Sequence, residues 1–213
     1  MNGLEKFHNL GKEKQERILH AALLEFAENG YDKASTNKIV QRAGIGKGML
    51  FYYFNSKKEL YEYLIQYCFE IAEKEYLNRI DDSKGDILNH LKEISRIKFE
   101  FFHQYPEVTK FLSTYVLIDG VSEEMNERFA ALKEKAYKKM HLSTERNLHL
   151  FRKDIDGKKA HDLIQWMIKG YEASYLEKFK GKKLSKEQIE QMFDEFDEYL
   201  DIMRKIFYEK KEG

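Results

Sequence analysis

From Lys47 to Lys57 the chain reads Lys-Gly-Met-Leu-Phe-Tyr-Tyr-Phe-Asn-Ser-Lys, a block of aromatic rings bracketed by two lysines. Tyrosine hydroxyls can bond phosphate oxygens, rings can cover thymine methyls or sugars, and ammonium groups neutralise phosphate charge. Leu50 and Phe54 are four apart and can share one inward face. Phe51, Tyr52 and Tyr53 step around the helix between them and cannot all follow. A short surface helix with rings around most of its girth is unusual for a solvent face. Gly48 inside it forfeits about 1 kcal/mol of helix propensity, which fits close approach by another molecule. The plainer reading is a helical hairpin with an aromatic surface.

Other chemistry finds little support. His8, His20, His90, His103, His141, His149 and His161 are scattered and form no His-Glu-x-x-His pair. Cys68 is the single cysteine, so neither an intrachain disulfide nor a zinc site with several thiolates can form. No glycine-rich phosphate loop follows a strand. No enzyme activity, cofactor or metal site is expected.

The elements that must position the aromatic block are helices. One proline, Pro106, stands in 213 residues, and β-branched residues never build an alternating run. From Lys12 to Asn29, Ile18, Ala22, Leu23, Phe26 and Ala27 follow amphipathic spacing, and Gly30 offers a C-terminal cap. Ser35 and Thr36 offer N-caps for a short helix, Asn37 to Ala43, with Ile39, Val40 and Ala43 inward. Gly44-Ile45-Gly46 then turns the chain within three residues into a second short helix, Lys47 to Phe54. Ser56-Lys57-Lys58-Glu59 has a capping-box pattern opening a longer one. Two short helices around such a turn form a helix-turn-helix. Net charge is zero overall, yet residues 1–58 hold ten Lys/Arg against six acids.

The run from Thr36 to Leu60, with Gly44-Ile45-Gly46, Leu50, Phe51-Tyr52-Tyr53-Phe54 and Ser56-Lys57-Lys58-Glu59, resembles the TetR-family DNA-binding signature. Ile18 to Phe26 and Gly30-Tyr31 resemble the same family's first helix and its exit. The specific match covers about residues 12–64; beyond it the resemblance is architectural. It implies that Thr36 caps the second helix and touches a phosphate, with Asn37 beside it. Lys47, Gly48 and Met49 would face base edges, Tyr52 and Tyr53 backbone or sugar, and Lys57 a phosphate. Two positions depart from the pattern: Gly46 replaces a capping serine, and Phe51 replaces a tyrosine, removing one hydroxyl–phosphate bond. Lys38 and Arg42 are either further contacts or solvated charges.

The expected architecture is all-α, about nine helices, with a helix-turn-helix domain at 1–58 and a helical ligand-binding and dimerisation domain at 59–213. The resemblance implies a homodimer, a double-stranded operator and a small-molecule effector. Met167, Gly170, Tyr171 and Ser174, with Phe196, Leu200, Met203 and Phe207, are dimer-face candidates; the alternative is intramolecular core. Phe102, Tyr105, Phe111, Tyr115, Phe129, Tyr137 and Trp166 are candidate walls of an apolar pocket. No apolar run approaches the roughly 20 residues of a membrane span, and no signal peptide is read, so a cytoplasmic location is expected. A helical adapter that binds protein, not DNA, is the competing expectation.

Overall fold

In the computed structural model, the structure describes residues 2–81, 85–115, 123–178 and 184–209; the side chains of 114, 115, 124, 125, 140–147 and 176 lie outside that description. Among the described residues there are ten α-helices and no strand. They are α1 (Gly3–His8), α2 (Lys12–Lys33), α3 (Thr36–Ala43), α4 (Lys47–Tyr53), α5 (Lys57–Glu75), α6 (Ile87–Gln104), α7 (Pro106–Tyr115), α8 (Glu123–Asn147), α9 (Gly157–Lys178) and α10 (Lys186–Phe207). The helix beyond the expected nine is α1. Residues 1–79 with 98–135 form one compact unit, and 80–97 with 136–213 form another.

The first unit is built around α2. Its Ile18, Ala22, Leu23, Phe26 and Ala27 are buried as their spacing predicts, and Leu19, Ala21 and Glu25 are buried with them. Burial extends around the helix because both α3 and α7 pack on it. Gly30, at φ +68°, kinks α2 without ending it; the helix resumes to Lys33. Leu60, Leu64, Ile65, Cys68 and Phe69 of α5 and Phe111 of α7 enter the same core as Ile39 and Leu50. The compact unit therefore continues past residue 58, where the functional boundary was expected. Removing one such ring, Phe26→Ala for example, would cost about 3–5 kcal/mol.

Helix ends follow local chemistry, with two differences from the sequence reading. Ser35, not Thr36, caps α3: its hydroxyl accepts from the Lys38 N–H at 3.5 Å, leaving Thr36 as the first helical residue. At α5, Ser56 accepts from the Glu59 N–H at 3.1 Å, but the Glu59 carboxylate turns to Asn55 Nδ2 at 2.8 Å, so the box closes only halfway.

In the second unit, α9 and α10 pack together through Tyr171, whose ring stacks on Phe196 at 5.2 Å. Ser185 and Gln188 form a complete capping box at the start of α10. The isolated bridge between Phe151 and Tyr208 and the ring contact between them, 5.5 Å, fasten the end of α10.

Candidate nucleic-acid interface

The turn between α3 and α4 is closed by backbone geometry. Gly44 takes the left-handed conformation at φ +65°, which glycine adopts without a Cβ penalty. The Ile45 N–H then returns to the Val40 carbonyl at 3.0 Å. Ile39, Val40 and Ala43 face inward as read from the sequence.

Helix α3 is also clamped electrostatically. Glu25 is fully buried, and its Oε1 accepts the Ser35 N–H at 3.1 Å. Arg42 reaches back with one nitrogen 3.5 Å from Glu25 Oε2 and another 2.9 Å from Glu28 Oε2. The hydrogen bond from Arg42 holds the Glu28 carboxyl below its ordinary pKa. Arg42 thus serves an internal ion pair that offsets a buried charge. Lys38, Asn37 and Gln41 stay exposed on the outer side.

Helix α4 presents a different surface. Gly46 supplies no side-chain cap, as its type requires. Lys47 and Gly48 are exposed, Met49 and Phe51 half-buried, and Leu50 buried. A Cβ built on Gly48 meets nothing within 4 Å, so packing inside the chain does not demand glycine there. Tyr52 is 55% exposed and turns its ring outward. Tyr53 does not: at 5% exposure it packs against the Phe7 ring, centroids 5.9 Å apart. The expectation that both tyrosines face outward is corrected, because α1 covers Tyr53. Lys57 Nζ donates to the Asp32 carbonyl at 3.0 Å and lies 4.9 Å from the Tyr31 ring centroid. An ammonium has three donors, so this tether positions Lys57 and leaves hydrogens for an outside acceptor.

Thr36, Asn37, Lys47, Gly48, Met49, Phe51, Tyr52 and Lys57, on the helix-turn-helix and its exit, are each exposed or half-buried. Sequence reasoning missed α1 and Glu25. The Asn2–Glu5 capping box was the available signal for the first. A carboxylate among the apolar positions of α2 was the only hint of the second.

A family profile described as bacterial regulatory proteins, tetR family, matches residues 18–64, the span from α2 into α5. Residues 18–64 are thus a TetR-family segment. The chain is 26% identical over 181 residues to the biofilm operon icaADBC HTH-type negative transcriptional regulator IcaR of Staphylococcus aureus (strain Newman), covering 82% of this chain and 92% of that protein. It is 30% identical over 121 residues to the nucleoid occlusion factor SlmA of Vibrio vulnificus, covering 54% and 61%. A TetR family transcriptional regulator from Chloroflexus aurantiacus shares the fold, with TM-score 0.69, 23% identity and coverage of 97% and 98%. Proteins of this family bind DNA and are not enzymes. Among the described residues no cluster of metal-ligating side chains occurs, and burial pushes the Cys68 thiol up from its ordinary pKa.

Outside the matched span, the chain distributes the other candidate residues unevenly. Phe111 is core, packed on Tyr61 at 5.4 Å, and Phe129 lies parallel to Phe69 at 5.6 Å. Tyr105 packs on Phe101 at 5.5 Å, while Phe102 is exposed under Lys98. Tyr137 and Trp166 are exposed, at 63% and 65%, the opposite of pocket walls. The side chain of Tyr115 lies outside the described residues. An open cleft in the second unit is lined by Arg152, Lys153, Asp154, Lys205, Tyr208 and Glu209, a polar set containing none of the expected walls.

The dimer-face candidates divide in two. Tyr171, Phe196 and Leu200 hold α9 to α10 within the protomer, the Tyr171 hydroxyl lying 2.9 Å from the Met192 carbonyl. Phe196 and Leu200 are core, which corrects their assignment, and Tyr171 is half-buried between them and solvent. Met167, Met203 and Phe207 are half-buried, and Gly170 and Ser174 are exposed. Among the described residues of α9 and α10, the large apolar side chains left outward are Leu163, Trp166, Tyr199, Ile202 and Ile206. Among the described residues no helix is long and apolar enough to cross a membrane.

Proposed function

We propose that the chain is a homodimeric repressor of a two-fold symmetric operator, released by a small, largely apolar effector. Residues 1–58 read the DNA and residues 59–213 dimerise and bind the effector. Lys47, Gly48 and Met49 meet base edges, while Thr36, Asn37, Tyr52 and Lys57 meet the sugar–phosphate backbone and Phe51 adds an apolar contact. The observation that carries this reading is the exposed, uncapped α4 lying within the family-matched span. Repression is supported by the name of IcaR, a negative transcriptional regulator.

Two heads on one duplex need recognition helices about 34–36 Å apart, which a single chain cannot supply. The outward apolar residues of α9 and α10 support that pairing, since surface aromatic and aliphatic groups at helical spacing favour a partner over water. We put the effector site among the aromatic residues of the central helices, where Phe102, Tyr105 and Phe129 are the candidates left exposed or half-buried.

Selection of bound fragments from genomic DNA, followed by mobility shift across a salt series, tests the reading. A short palindromic site whose affinity falls steeply with salt is expected. Binding without sequence preference, or indifferent to salt, would overturn it. Light scattering of wild type and Trp166→Glu tests the pairing, with a dimer expected for the first and a monomer for the second.

A further inference from the structure

Helix α1 has six residues, too few to persist alone in water. What holds it is tertiary. Asn2 and Glu5 close a full capping box, at 2.8 and 2.9 Å. Phe7 is fully buried, its ring 4.9 Å from Phe54 and 5.6 Å from Tyr63. Gly3 lies against the end of α4, where a Cβ would stand 2.4 Å from the Tyr53 carbonyl oxygen and 3.0 Å from that of Tyr52. Only glycine allows the two backbones to approach so closely. The recognition helix, which lacks a side-chain cap at its start, is thus gripped at its far end by α1.

The grip brings a charge with it. Lys6 Nζ lies 4.0 Å from the ring centroid of Tyr52, the outward-facing aromatic of α4. Among the described residues Lys6 makes no ion pair. A cation–π contact at an exposed ring is weak, so it orients the ammonium without neutralising it. The aliphatic stem covers the ring while the charged end is left for an outside anion.

We infer that α1 is a working part of the DNA-reading head: Gly3 and Phe7 brace α4, and Lys6 is a further phosphate contact beside Tyr52. The inference rests on the DNA-reading surface proposed above. It makes the reader a unit of α1 to α4, with affinity that depends on a segment outside the matched span 18–64.

A phosphate contact is sequence-independent, so the test does not require the operator. Affinity for a random-sequence duplex of about 24 base pairs is measured across a salt series for wild type, Lys6→Gln, Lys6→Arg and Lys12→Gln. Each phosphate neutralised adds about 0.9 to the slope of log K against log salt. The slope is expected to fall by about that amount in Lys6→Gln and to stay at the wild-type value in Lys6→Arg and Lys12→Gln. A wild-type slope in Lys6→Gln overturns the phosphate role, even if affinity has dropped, because a purely bracing lysine would lower affinity without changing ion release. Gly3→Ala, with folding checked by circular dichroism and melting, is expected to bind several-fold more weakly; unchanged affinity overturns the brace. Wild-type protein that fails to bind the duplex at any salt overturns the DNA reading itself, a result distinct from an unchanged slope.

Discussion

The two helices of the reader, α3 and α4, have eight and seven residues and stand three residues apart, yet opposite means hold them. Helix α3 is tied inward at both ends: Ser35 caps it, Glu25 takes a backbone N–H at its start, and Arg42 near its end returns to Glu25 and Glu28. Helix α4 keeps its polar groups free, with glycine at its cap, Lys47 and Gly48 exposed, and Tyr52 outward. A helix that positions can satisfy its polar atoms within the fold. On the function proposed above, α4 leaves them for another molecule, and it is held by apolar anchors such as Leu50 and by α1.

The largest break in this contrast is expected from Arg42→Ala, which strands the buried Glu25 carboxylate. Stability should fall by about 2–3 kcal/mol in urea unfolding, somewhat under the cost for fully buried pairs because Arg42 itself is partly exposed. Lys47→Ala should do the reverse: a shift of about 1–3 kcal/mol in preference within each half-site, with stability inside about 0.5 kcal/mol of wild type. Equal losses of stability in both variants would erase the distinction. Gly48→Ala sharpens it further, since the added methyl meets only open space. Melting should show a gain of up to about 1 kcal/mol, while DNA affinity falls. Restoring the absent cap with Gly46→Ser should stabilise α4 by only a few tenths of a kcal/mol. The smallest effect concerns Glu28. Its folded pKa is lowered from the ordinary 4.5, so its stabilisation is present above that value and is lost as pH falls through the lower folded one. Acid titration of stability in that window should be flatter in Glu28→Gln than in wild type.

The turn and its two helices were legible because their signals are local. Gly44 takes its positive φ from glycine's own freedom, and Ile39, Val40 and Ala43 declare a shared face by spacing alone. Less could be read where a residue's role depends on what covers it. Tyr52 and Tyr53 are adjacent and alike, but only the second lies beneath Phe7. Ser35 and Thr36 were both competent caps, and backbone geometry selected Ser35. Tyr171, Phe196 and Leu200 looked like a dimer stripe, since periodicity identifies a face and not the neighbour against it. Trp166, assigned to a pocket by its type, stands exposed on α9.

By itself, then, the sequence determined the all-helical class and the two short helices around their turn, because propensity, caps and helical spacing act over a few residues. Tertiary structure decided which of the reader's polar groups are used internally and which stay available. Glu25 is buried, Arg42 engaged and Tyr53 covered, while Lys6 is carried to Tyr52 by a short helix that exists only through its packing. Those outcomes depend on contacts between segments far apart in the chain, where burial and pairing energies outweigh local preference.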